Sequence, residues 1–191
     1  TAKGIYDVQL NGKRVGNAWL TPGWTSYKNR IQYQVFDVAS LIKSGNNATG
    51  VTLANGWFRG PLAWEKNKKI YGDKTALLFQ LEINYSDGTQ ETVTSDGTWK
   101  VTTTGPIRSS EIYHGEVYDA RKEKAGWTQV AFTDTDWKNA EVLNETKENL
   151  IATYGPQITR HETFKPTKVF KTPKGDLVAD FGQNLVGLLQ I

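Results

Sequence analysis

Neither cysteine nor methionine occurs among the 191 residues. The missing cysteine excludes disulfides, thiolate metal sites and a cysteine nucleophile, and leaves the redox compartment unmarked. No apolar run approaches the roughly 20 residues that span a bilayer, and the N-terminus has no signal-peptide pattern. Position 1 is Thr rather than Met, so the chain is expected to be a fragment or a processed form. A strong charge of one sign is also missing. The net charge is +3 and the Lys and Arg residues are scattered, which argues against a nucleic-acid footprint. The longest basic cluster, "KNKK" at 66–69, reads as a solvated loop. There is no nucleophile elbow, no P-loop and no dinucleotide fingerprint. Only two histidines occur, His114 and His161, with no third ligand at metal spacing, so a zinc site is not expected.

Turn signals and short alternating runs are plentiful. "IYDVQL-NG-KRVG" from Ile5 places Asn-Gly, which accepts positive φ cheaply, between two strand patterns, the strongest short hairpin signal. "TPGW" (21–24) reads as a turn, and strands are expected at 30–38, 48–58 and 75–85. Asp87-Gly88 and Asp96-Gly97 flank short Thr/Val strands. One helix is expected over 37–47, with Asp37 as N-cap and Gly45 as its stop. No βαβ alternation appears. After "YDAR" the texture changes, and three of the six prolines follow residue 155. The expected architecture is therefore all-β: an antiparallel jelly-roll β-sandwich with one short helix over 1–145, a linker over 146–165, and the truncated start of a second β-domain over 166–191.

Two stretches carry chemistry. "LANGWFRGPLAW" (53–64) brings together Asn55, Trp57, Arg59 and Trp64. Trp rings stack on the apolar face of a sugar while amide and guanidinium groups bond its hydroxyls. An alternative is a Trp packed beneath a loop, with Arg59 in a surface ion pair. "GPIRSSEIYHGEVYDAR" (105–121) concentrates Arg108, Glu111, Tyr113, Glu116, Asp119 and Arg121. A glycosidase needs two carboxylates about 5–10 Å apart. On an extended strand Glu111 and Glu116 face opposite sides, and a bend at Gly115 is what could bring them together; no catalytic residue is assigned here. Charge-assisted pairs across a domain interface, or one wall of an oligosaccharide groove, are the remaining uses. Asn47, Asn84 and Asn144 match the N-glycosylation pattern, which chance explains in an Asn- and Thr-rich chain.

These stretches, with "LTPGWTSYKNRIQYQVFDV", "YGDKTALLFQLEINYSDGT" and "VADFGQNLVGLLQI", together resemble the N-terminal region of bacterial α-L-rhamnosidases (glycoside hydrolase family 78). The resemblance implies a non-catalytic accessory or docking domain of a large modular enzyme. That enzyme would release terminal α-L-rhamnose from plant-derived glycosides or polysaccharides by an inverting acid/base mechanism, with its carboxylates in a downstream (α/α)₆ barrel. It implies as partner the rest of the parent enzyme, with no nucleic acid and no membrane insertion. Some members carry here a calcium-dependent rhamnose-binding module, which would take L-rhamnosyl sugars. By that likeness an acidic–amide pair and a backbone carbonyl would hold the ion, at Ala54-Asn55 and near Pro106. Ala54 has no side-chain oxygen to offer, so no cofactor is required and calcium stays open. A periplasmic or secreted parent is expected, with a cytoplasmic one left open.

Overall fold

In the computed structural model, residues 1–63 and 67–188 are described. Strand β1 (Ala2–Lys3) leads into β2 (Ile5–Leu10) and β3 (Lys13–Arg14). The turn between β2 and β3 is Asn11-Gly12, at φ 53° and 81°, the left-handed pair that tightens a two-residue hairpin. Strands β4 (Ala18–Trp19) and β5 (Ile31–Tyr33) follow. Next come β6 (Thr49–Ala54) and the four-residue helix α1 (Gly56–Arg59). β6 lies antiparallel on β2 along its whole length, Ile5 opposite Ala54 and Leu10 opposite Thr49. Then come β7 (Ala76–Leu77), β8 (Gln80–Asn84), β9 (Gln90–Thr94), β10 (Lys100–Val101), β11 (Ile107–Glu111) and β12 (Gly115–Tyr118). β13 (Lys138–Asn139) and β14 (Leu150–Ala152) complete the strands of this part.

The expected helix over 37–47 is reduced to one 3₁₀ turn, Ala39–Leu41. Asp37 does act locally: its Oδ1 accepts the Ala39 N–H at 2.9 Å. The helical turn that forms instead is α1, where a strand was expected. Gly56, at φ 51°, explains the change. A Cβ there would sit 2.7 Å from Ile5 Cγ2, so only glycine lets β6 break off beside β2 and coil. The fold is thus nearly all β with one short α-helix. Among the described residues its ladders are short, with one three-stranded sheet and the others two-stranded.

The chain divides into two compact units, Thr1–Ile158 and Thr159–Ile191. In the first, Tyr27, Ile31 and Phe58 form a buried cluster with Trp57, Tyr71 and Leu150 packed on it. Tyr27 meets Phe58 edge-on at 5.3 Å and Tyr71 at 5.0 Å between ring centroids, the favoured arrangement of aromatic pairs. Burial, with Tyr71 adding to it, pushes the Tyr27 hydroxyl well above the usual phenol range. β14 closes the cluster by pairing in parallel with β5, Leu150 beside Ile31. Asn149 Nδ2 donates to Tyr27 O, 122 residues away in the chain. Strand β15 (Ile158–Thr159) falls at the boundary. The second unit is built on one antiparallel ladder, β16 (Lys168–Lys171) on β17 (Leu177–Asp180).

Candidate functional site

Phe58 points into the core and fixes α1, and α1 in turn places its neighbours. Successive helical residues rotate by about 100°, so Asn55 and Arg59, four apart, share one side of the turn. Trp57 leaves from nearly the opposite side. Arg59 Nη1 donates to Asn55 Oδ1 at 2.9 Å. Asn55 Nδ2 donates to Glu111 Oε1 at 3.2 Å, and His114 Nδ1 lies 3.0 Å from Glu111 Oε2. A polar relay therefore runs Arg59–Asn55–Glu111–His114 and ties α1 to the β11–β12 hairpin. The Glu111 side chain is 13% exposed. Burial opposes its charge. Bonds from His114 and Asn55, with the Lys68 charge, outweigh that and hold the carboxyl below its ordinary range.

Trp57 instead stacks on Trp24, with centroids 6.3 Å apart and planes 6° from parallel. Trp24 is 51% exposed, and its Nε1 donates to the Tyr71 hydroxyl at 3.3 Å. The structure thus brings Asn55 and Arg59 together and gives Trp57 a partner that sequence reasoning missed. The "TPGW" signal contained that partner but was read only as a turn. Trp64 lies outside the described residues.

The donors named for calcium are already engaged. Ala54 offers no side-chain oxygen, and Asn55 Oδ1 faces the Arg59 guanidinium. Pro106 O accepts the Asp119 N–H at 2.9 Å. With Ala54 lacking an oxygen and the Arg59 guanidinium held against Asn55 Oδ1, these residues do not fit a calcium ion as arranged. Among the described residues, no three His, Asp or Glu side chains gather to hold a metal.

The 105–121 stretch is a hairpin, not one extended strand. Its turn brings Gly115 opposite Glu111 and Glu116 opposite Ser110. Adjacent pairs face opposite sides of a ladder, so Glu111 and Glu116 do not converge. Most of its charges are satisfied nearby. Arg108, at the bulge, donates to Gly105 O at 2.7 Å and Thr103 O at 3.1 Å. Arg121 grips Asp119 with two bonds, at 2.8 and 2.9 Å, and this holds the Asp119 carboxyl below its usual range. Tyr118 donates to Glu123 at 2.5 Å. What remains open is largely apolar: Tyr113, Val117 and Tyr118 are 60%, 57% and 50% exposed.

Comparison with known proteins agrees with this architecture. Residues 1–162 match the family model described as the α-L-rhamnosidase N-terminal domain, and the chain belongs to that family. An α-L-rhamnosidase of Streptomyces avermitilis is 41% identical over 194 residues, covering 100% of this chain and 18% of its own length. One of Formosa agariphila is 41% identical, covering 98% of the chain and 20% of its own length. The crystal structure of native α-L-rhamnosidase from Aspergillus terreus superposes with a TM-score of 0.92 at 44% identity, over 97% of this chain and 21% of that one. The crystal structure of a Streptomyces avermitilis α-L-rhamnosidase complexed with L-rhamnose gives 0.91 at 40% identity, over 97% of this chain and 18% of that one. The chain thus spans about a fifth of the length of the curated relatives it matches. No helix among the described residues is long and apolar enough to cross a membrane.

Proposed function

We propose that this chain is the non-catalytic N-terminal part of an α-L-rhamnosidase that releases terminal α-L-rhamnose from plant-derived glycosides or polysaccharides with inversion. It serves there as a docking domain. The observation that carries this reading is the β11–β12 hairpin. A two-stranded ribbon is marginal in water, and this one presents exposed Tyr113, Val117 and Tyr118 beside the charged Glu116 and Arg121. Val117 and Tyr118 lie on opposite faces of the ribbon and Tyr113 at its turn, and exposed aromatic and apolar side chains set among charges are a composition that interfaces share. The Arg59–Asn55–Glu111–His114 relay braces the hairpin from behind.

The test is made in the enzyme extended by its catalytic region. Tyr113→Ser/Val117→Ser should split its thermal unfolding into separate transitions and lower its activity. The 191-residue chain alone should release nothing from a chromogenic α-L-rhamnoside. Hydrolysis by the short chain, or an extended enzyme indifferent to the double substitution, would overturn the reading.

The Trp24–Trp57 stack favours a second reading, a rhamnose-binding module. Titration with L-rhamnose should then quench tryptophan emission saturably, and Trp24→Ala should remove the response. The resemblance pairs such binding with calcium. The Arg59 contact supports binding that a chelator leaves unchanged.

A further inference from the structure

Thr49 opens β6, about 17 Å from the Asn55 end at the rise of an extended strand. Beside Thr49 lies a groove of about 350 Å³, with Asn46, Asn47, Trp127, Gln129, Phe132 and Asp134 among its lining residues. That volume is at the small end of ligand pockets. The groove has an aromatic wall and a rim of amides and one carboxylate, and no lysine or arginine lines it.

The wall is built, not accidental. Trp127 lies against the β6 backbone at Gly50, where a Cβ would overlap its ring. Its neighbour Thr128 is 3% exposed and donates to Gln9 Oε1 at 3.0 Å. Trp137 flanks the ring with centroids 6.3 Å apart, and Phe132 closes on Trp137 at 5.7 Å. Trp127 is therefore fixed before any ligand arrives, which lowers the entropy cost of binding. Gln129 crosses Gly12, where a Cβ would collide with its amide.

The rim divides into committed and open groups. Asn47 donates to Lys43 O and Gly45 O, and accepts from Asn11 Nδ2 and Lys43 N. Its amide is saturated and cannot serve a ligand. The side chains of Asn46, Gln129 and Asp134 make no hydrogen bond to the described residues. Three open polar groups around one fixed indole match a molecule with an apolar face and a hydroxyl-bearing edge.

We propose that this groove binds one neutral sugar ring. The C–H face of the pyranose packs on the part of Trp127 that lines the groove, and its hydroxyls donate to Asp134 and exchange bonds with Asn46 and Gln129. An acidic sugar is rejected, because Asp134 repels its carboxylate and no cation among the described lining residues offsets it. The site stands apart from α1 and the hairpin and does not rest on the docking reading.

The test is NMR titration of the ¹⁵N-labelled chain, following the Trp127 indole N–H against L-rhamnose, D-glucose, D-galactose and D-galacturonate. At least one neutral sugar should shift it saturably with a Kd of about 1 mM, the strength of a few contacts. Galacturonate should not. Because Trp127 also packs the fold, affinity is tested with Asn46→Ala/Asp134→Ala, which removes only open rim groups. This pair should weaken binding about tenfold with the thermal midpoint unchanged. The proposal is overturned if no neutral sugar moves Trp127 at about 100 mM. It is equally overturned if galacturonate binds as well, if the double variant binds unchanged, or if only Trp24 and Trp57 respond.

Discussion

Glu111 is the residue on which the relay turns. Its folded carboxyl is held below the ordinary value by His114 and Asn55 against the cost of burial. A depressed carboxyl contributes stability that is fully present above the unfolded pKa of about 4.3. That contribution is lost as pH falls through the lower folded value. Glu111→Gln should therefore cost about 1–2 kcal/mol near neutrality. It should also flatten the decline of the thermal midpoint on the acid side, as followed by circular dichroism at a series of pH values. Gly50 makes the opposite kind of demand, for space. A methyl group there would overlap the Trp127 ring and lie 2.5 Å from Thr128 Cγ2. Gly50→Ala should cost about 1–3 kcal/mol by overpacking, and denaturant titration should show the midpoint falling.

At the scale of elements, the proposed docking role of the hairpin can be separated from its part in folding. Tyr113 and Val117 are exposed in this chain, so Tyr113→Ser/Val117→Ser should change its own stability by no more than about 0.5 kcal/mol. The damage should appear only in the extended enzyme. Chemical denaturation of the short chain checks the first half of that contrast. What the sequence made legible follows the same division. Asn11-Gly12 and Asp87-Gly88 announced their hairpins because positive φ is a local demand, and both turns formed. The 105–121 stretch was readable as a polar surface strip from its residues alone. The helical spacing after Asp37 was misleading. Only one 3₁₀ turn forms there, its Leu41 carbonyl taken by Asn11 Nδ2, while Gly56 coils a segment that looked extended. The surroundings of Trp24 and Trp127 were not legible for a related reason. A partner distant in sequence, Trp57 for one and Gly50 for the other, decides which face each indole shows.

Over the whole molecule, the two units make unequal claims to independence. The first has the aromatic cluster, whereas the second is one ladder with Leu177 71% exposed and Val169 55% exposed. Trimming the chain after residue 162 should leave the near-ultraviolet spectrum of Tyr27 and its neighbours intact. It should also reduce concentration-dependent association on size exclusion, since uncovered apolar ladders invite strand addition. The parallel pairing of β14 with β5 has a consequence for biosynthesis. Asn149 and Tyr27 are 122 residues apart, and a ribosome adds about 5–20 residues per second. The early strand therefore waits roughly 6–25 s, by that rate, before its neighbour is made. Through that interval the half-made chain holds an open edge beside its core, and what shields it then is a question for the cell rather than for the fold.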